Sequence, residues 1–235
     1  METTATLTGA TPRRPEDDPR YQRIRARLTN AILELASQKP AEQITVSELT
    51  HAAGIARTTF YKHSDSPASF LADYLIEQLH PRLDPLADLL KDPGPDYLSR
   101  WAAIMLDVLE HVQENEDVYS HVFTPDGQSV VLSMMTAYFE GVFASYVQEF
   151  SEHVGRVEVT ELWKTMAISQ QVHNTIAMIS SWLRTDLADP PERVLETYLS
   201  LVPPWQLARF TDSGQAPLRR NRKIAELLQQ GKEKG

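Results

Sequence analysis

The chain has 235 residues, 42% of them apolar, no cysteine and a formal net charge of −9. That length and apolar content support a buried core in one or two compact units and exclude fibrous and disordered classes. With no cysteine there is neither a disulfide framework nor a thiolate metal site, which accords with a reducing cytoplasm.

The charge is unevenly spread. Residues 1–66 hold nine Lys/Arg against eight Asp/Glu, residues 67–216 hold eight against 22, and residues 217–235 hold six against two. A neutral-to-basic head on an acidic body suits local phosphate binding, so the low whole-chain pI does not argue against a nucleic-acid partner.

The N-terminus, Met1–Ala10, is polar and threonine-rich and has no apolar run of signal-peptide length, which predicts that the chain is not exported. Residues 1–19 contain Pro12, Pro15 and Pro19 and read as a flexible arm. Arg13 and Arg14 on it suit either a solvated tail or a minor-groove contact. From Arg20 onward Ile24, Leu28, Ala31, Ile32 and Leu35 recur at helical spacing and predict a long helix that ends before Pro40.

Thr45 and Glu48 form a capping box, the Thr hydroxyl accepting from the Glu48 amide while the carboxylate reaches back. A short helix over 46–52 follows, with Val46, Leu49, Ala52 and Ala53 as its inner face. Gly54 supplies the permissive backbone of a tight turn, and Ile55 anchors that turn in the core. A second helix from about Ala56 carries the donors Arg57, Thr58, Tyr61, Lys62 and His63, while Phe60 is its single large apolar group.

This segment resembles the helix-turn-helix of TetR-family transcriptional repressors, whose signature includes an aromatic pair, Lys and His like Phe60-Tyr61-Lys62-His63. The resemblance covers the layout of residues 20–80, with the specific motif in 44–63. It implies an all-α fold: a three-helix DNA-binding domain at 20–66, then a helical ligand-binding and dimerisation domain at 67–212 and a basic tail at 213–235. It further implies that Arg57 and Thr58 face base edges with Thr59 nearby, and that Tyr61, Lys62 and His63 touch phosphates. Thr45 would stand at the phosphate-facing start of the first helix, with Ser47 and Ser66 completing the set. The chemistry agrees, because Arg bridges guanine bidentately and hydroxyls, tyrosine and lysine suit the backbone. Three positions depart from the family pattern: Ala56 replaces a capping Ser or Thr, Ser64 replaces Phe, and Pro67 replaces Lys.

A helix from Pro67 carries Phe70, Leu71, Tyr74, Leu75 and Leu79 and links head to body. Pro81 and Pro85 predict a kink in it or a second short helix at 82–91. Asp92-Pro93-Gly94-Pro95 reads as a loop, and further helices are predicted at 96–113, 117–123, 127–152, 156–185 and 190–202.

Thr165–Leu183 contains no charged residue, but Gln170, Gln171, His173 and Asn174 make residence in hydrocarbon costly, so no membrane span is expected. Ile168, Val172, Ile176, Ile179 and Leu183 form one stripe on that helix, opposite Trp163, Met166, Gln170, His173, Asn174, Ala177 and Ser181. A helix uncharged on every side is expected to be covered on both, which predicts self-association.

The resemblance implies a four-helix dimer interface made by this helix and 190–202. Its candidates are Ile176, Ala177, Ile179, Leu183, Val194, Tyr198 and Leu201. Two-fold symmetry then predicts a pseudo-palindromic operator. The resemblance also implies a small-molecule effector in the acidic half. Trp101, Met105, Phe123, Met134, Tyr138, Trp163 and Met166 are candidate lining, with Gln170, His173 and Asn174 as polar groups that need partners. The basic run Arg219, Arg220, Arg222 and Lys223 reads as a solvated helix or an acidic-surface contact.

Two Glu-x-x-His repeats, Glu48–His51 and Glu77–His80, match the spacing used by di-iron bundles. Both lie on short or proline-ended helices, and Glu48 already serves a cap. No His-Glu-x-x-His, phosphate-cradling loop or nucleophile elbow occurs. The expectation is a cytoplasmic, non-enzymatic DNA-binding regulator, a repressor by family default. It has no cofactor, no metal and no membrane partner, and works with duplex DNA, a small molecule and a second copy of itself. A protein-binding helical adaptor is the alternative class, and behind it a di-iron enzyme.

Overall fold

The computed structural model describes residues 18–91, 97–123, 129–153 and 159–202. Residues 1–17 of the predicted 1–19 arm, the basic tail and the 92–95 loop lie outside them, while Asp18 and Pro19 belong to the start of the first helix. Every regular element among the described residues is helical.

Helix α1 (Pro19–Ala36) starts where Asp18 accepts the Arg20 amide at 2.8 Å and Pro19 fills the first turn. Leu28, Ala31 and Ile32 bury its inner face, and a 3-10 turn at Ala41–Gln43 follows Pro40. Helix α2 (Val46–Ala53) is capped by Thr45, whose Oγ1 accepts the Glu48 amide at 3.1 Å. Lys39 Nζ holds the Glu48 carboxylate at 2.6 Å and, with the Thr45 backbone amide, keeps it below the usual carboxyl range, so the capping box is reinforced from outside the helix.

At the other end of α2, Gly54 has φ of 61°, and the Gly54 and Ile55 amides donate to the His51 and Thr50 carbonyls, each at 3.0 Å. This pair of bonds is a Schellman closure, which needs a left-handed residue. Arg27 from α1 donates to the Gly54 carbonyl at 2.8 Å. Helix α3 (Arg57–Phe60) follows at once, with Phe60 fully buried.

Helix α4 (Pro67–Lys91) runs on through its prolines, so of the two outcomes the sequence predicts, a kink or a second short helix at 82–91, the separate helix does not form. Pro81 and Pro85 are four residues apart and both exposed, so the two lost amides fall on one solvent face. On the other side Leu79, Leu83, Leu86 and Leu89 are buried, and Arg82 Nη1 straps the Gln78 carbonyl at 2.6 Å. Packing thus carries one helix through two breakers.

The body adds α5 (Tyr97–Glu114), α6 (Glu116–Val122), α7 (Val130–His153), α8 (Glu161–Leu183) and α9 (Pro191–Leu201). Helix α7 lies between α4 and α8, while α9 packs on α5 and α8. The stretch Val130–Gln148 of α7 is long and apolar enough to cross a membrane, with mean hydropathy 1.4. Here Val131, Met135, Phe139, Phe143 and Val147 of that stretch pack inward as core, and its outer side carries Ser133, Glu140, Ser145 and Gln148. One apolar core runs from Leu28 in the head to Val202 in the body.

Two polar contacts are among those that fasten the head to the body. Arg25 of α1 pairs with Glu77 of α4 and lies 5.4 Å from the centroid of the Phe70 ring. Glu42, in the 3-10 turn, accepts from Ser129 Oγ at 3.0 Å and from the Val130 amide at 2.7 Å, placing a carboxylate at the positive end of α7.

Phe60 anchors α3 alone, so Phe60→Ala is expected to cost about 3–5 kcal/mol of unfolding free energy. Urea denaturation followed by circular dichroism measures this. A loss below about 1 kcal/mol would mean that α3 is held by something else.

Candidate nucleic-acid interface and body cavity

Helix α3 has little backbone bonding of its own. The Phe60 and Tyr61 amides reach the Ala56 and Arg57 carbonyls at 3.2 and 3.3 Å, and residues 61–63 continue as tight turns. Ala56 gives no side-chain cap. The outer surface is therefore set by where Phe60 and the Gly54 turn hold the segment. Arg57, Thr58 and Lys62 are exposed there, Tyr61 is 60% exposed, and Thr59 is half-buried. Thr45 and Ser47 at the start of α2 are exposed as well. Arg, hydroxyl, phenol and ammonium donors thus stand exposed on α2, α3 and the turn that follows, with no carboxylate on α3.

Two residues of the sequence-read set are engaged elsewhere. Ser66 Oγ accepts the Ser69 amide at 3.0 Å and meets Ser69 Oγ at 2.8 Å, so it caps the start of α4. The ring of His63 stacks on Tyr21 with centroids 4.1 Å apart, and the residue is only partly exposed. Burial, and then the Arg25 charge, hold its imidazole below the ordinary value. Tyr21 and Arg25 on α1 are therefore the supports of this corner. The sequence offers no motif that marks them.

In the body, a cavity of about 400 Å³ opens between α4, α5, α7, α8 and α9. Trp101 and Tyr138 line it, as the sequence expects, together with His80, Asp84, Phe143, Tyr146, Gln171 and Tyr198. Gln171 Nε2 donates to Tyr198 Oη at 3.2 Å, and the Tyr198 and Trp101 rings stack with centroids 6.3 Å apart. Burial pushes the Tyr198 phenol up to about 12. At the mouth, His80 Nδ1 lies 3.3 Å from Tyr138 Oη and 3.5 Å from Asp84 Oδ1.

The remaining candidate lining residues fall outside this cavity. Met105 and Phe123 are core, Met134 and Trp163 are half-buried elsewhere, and Met166, Gln170 and His173 are exposed. Asn174 lines a second, shallower groove of about 290 Å³ with Ala177, Ser181 and Leu201.

The candidate dimer residues divide in the same way. Ile179, Leu183, Val194 and Tyr198 are buried in the protomer's own core and Ile176 is half-buried, whereas Ala177 is exposed and Leu201 is 78% exposed. The outward face of α8 is uncharged from Thr165 to Ser181, with Met166 63% exposed.

The two Glu-x-x-His repeats do not converge. Glu48 is held by Lys39 and Glu77 by Arg25, and no cluster of three or more potential metal ligands occurs among the described residues.

A short exposed donor-bearing helix, set by a left-handed glycine turn on a three-helix head, defines a helix-turn-helix protein with an all-helical body. Residues 99–203 match a TetR family model described as a transcriptional regulator C-terminal region. Among solved structures, a TetR-family transcriptional regulator from Streptomyces coelicolor superposes with a TM-score of 0.50 at 17% identity, covering 89% of this chain and 96% of its own. NalD, the secondary repressor of the MexAB-OprM multidrug efflux pump in Pseudomonas aeruginosa, superposes with a TM-score of 0.50 at 18% identity, covering 76% and 96%. At such identities the likeness is one of fold. No curated protein matches the chain. The similarity is thus to TetR-type transcriptional regulators, by sequence over residues 99–203 and by fold more widely.

Burial holds the imidazoles of His63 and His111 below their ordinary value, helped by Arg25 and Arg82 respectively. The unfolded chain takes up these protons first, near pH 6.5, so stability is complete above that pH and declines as the pH falls toward the depressed folded values. His63→Phe keeps a ring on Tyr21, and it should make urea midpoints fall less steeply between pH 6.5 and 5. Equal slopes for the two proteins would remove His63 from this role.

Proposed function

We propose that the chain is a cytoplasmic repressor that binds a pseudo-palindromic operator as a homodimer and is released when a small molecule enters the body cavity. The observation that carries this reading is the shared helix α4. Its first half is clamped to the DNA head through Phe70 and Glu77, and its second half supplies His80, Leu83, Asp84 and Leu86 to the cavity wall. Helix α7 repeats the connection, since its start holds Glu42 of the head and its middle lines the same cavity with Tyr138 and Phe143. A ligand that spreads these walls shifts both attachments of the head, and so the separation of two heads in a dimer.

On the DNA, Arg57 and Thr58 read base edges with Thr59 beside them. Tyr61, Lys62, Thr45 and Ser47 hold phosphates. His63 and Ser66 act from behind this surface, the first against Tyr21 and the second as the cap of α4. The second copy covers the uncharged face of α8 around Ala177 together with Leu201 of α9, which the protomer leaves in water.

Selection of bound duplexes from a random pool supplies the operator. With it, Arg57→Ala should cost about 1–3 kcal/mol and flatten sequence preference at one base pair per half-site, whereas Lys62→Ala should weaken all duplexes alike and lower the salt slope by about one. Wild-type gel shifts from both variants would remove this face from DNA recognition.

Ala177→Asp places a charge on the exposed face without disturbing the protomer core. It is expected to shift sedimentation from dimer to monomer with the circular dichroism spectrum unchanged. A dimer of wild-type stability would exclude this face as the interface.

A further inference from the structure

We propose that the body cavity selects a lipophilic organic cation, an aromatic or alkyl ammonium, rather than a neutral or acidic compound. The inference deepens the effector reading above and rests on it for the consequence to DNA, but not for binding itself.

The argument is one of wall chemistry. Trp101, Tyr138, Phe143, Tyr146 and Tyr198 contribute ring surface to a single space of about 400 Å³, a size that suits a drug-like molecule. Aromatic faces carry negative quadrupole density, so such a space attracts a cation that has shed part of its water. Asp84 is the carboxylate among the described lining residues, and no Lys or Arg lines the space with it.

The nearest cation on the same helix, Arg82, is turned away. Its Nε lies 3.6 Å from Asp107 on α5, and its Nη1 is spent on the Gln78 carbonyl. Asp84's neighbour at the mouth is His80, 3.5 Å away. The field of that carboxylate reaches the wall, since Asp84 helps burial to hold the Tyr138 phenol above its ordinary value. The surroundings act in the same sense, with 22 acidic against eight basic residues over 67–216. An anion would meet a carboxylate with no Lys or Arg beside it on the described lining, and a neutral ligand would leave that carboxylate unused. Gln171 and Tyr198, already bonded to each other, form a polar floor for a heteroatom at the far end.

The test uses three probes of equal aromatic body: 2-naphthylmethyl-trimethylammonium, 2-naphthylmethanol and 2-naphthylacetate. Binding to the full chain is measured by calorimetry, and release of the selected operator is measured separately by fluorescence anisotropy. The ammonium should bind at least about tenfold more tightly than the alcohol, with the acetate weakest, and Asp84→Asn should erase that order while sparing the alcohol. Asp84 is exposed, so its substitution leaves the fold intact, and Tyr138→Leu serves as a second variant that weakens the ammonium alone.

Equal binding of the three probes, tighter binding of the alcohol or the acetate, no binding of any probe, or an unchanged order in Asp84→Asn would each overturn the cation assignment. The effector reading is judged by release alone. An alcohol or acetate that binds more tightly than the ammonium and frees the operator preserves that reading against this proposal. An ammonium that binds as expected without freeing the operator does the reverse.

Discussion

Four residues of helix are too few to be stable in water, because the cost of nucleation is met by only one or two backbone bonds. Helix α3 is such a segment, and it lacks the side-chain cap that a Ser or Thr at position 56 would give. What holds it is the conjunction of Gly54 at φ of 61° behind it and the fully buried Phe60 beneath it. A Cβ at Gly54 would lie 2.5 Å from Arg27 Nη2, so the turn is closed both by backbone conformation and by the guanidinium that bonds its carbonyl. Every exposed donor on the head, from Arg57 to Lys62, takes its direction from that arrangement. The supports behind it serve the same end: Tyr21 under His63, Arg25 on Phe70 and Ser66 at the start of α4.

The head was legible because its signals are local. A capping pattern at Thr45, a glycine at a helix end and one large apolar residue in a polar helix each constrain a few neighbouring φ and ψ angles, and local rules decide them. The chain order of helices in the body was legible for the same reason, through spacing and proline.

The phase of α8 was harder to use. The sequence separates its two faces, and Val172, Ile179 and Leu183 do point inward with Met166, Gln170 and His173 outward. An uncharged helix, however, does not say which polar residue is covered. Gln171 sits 100° from Gln170 on the wheel, and only the packing of α9 makes it the partner of Tyr198. The cavity was missed where it depends on residues far apart in sequence: His80 and Asp84 from α4 meet Tyr138 from α7. Nor does spacing announce Glu42, whose partners at Ser129 and Val130 lie almost ninety positions onward.

Charge is used differently in the two halves. On the head, Glu48 is tied down by Lys39, and at the junction with the body Glu77 is tied by Arg25, while Arg57 and Lys62 stand exposed. In the body, acidic groups dominate, and Asp84 at the cavity mouth has the His80 imidazole beside it, with the Tyr138 phenol next to that ring. A net negative chain can therefore carry exposed cations on its head and a carboxylate at the mouth of its cavity, because screening confines each field to about 10 Å or less in physiological salt.

Pro81 and Pro85 give α4 a mechanical character beyond continuity. The amides they lack would have bonded the carbonyls of Glu77 and Pro81, so the rungs are thinnest just after the clamp at Glu77 and just where the wall residues Leu83 and Asp84 begin. Bending stiffness in a helix comes from those rungs. The rod is therefore stiffer where it grips α1 than beside the cavity, where leucine packing and the Arg82 strap keep it one helix. Whatever displaces those leucines meets a joint rather than a beam, and deflects the far end at small elastic cost.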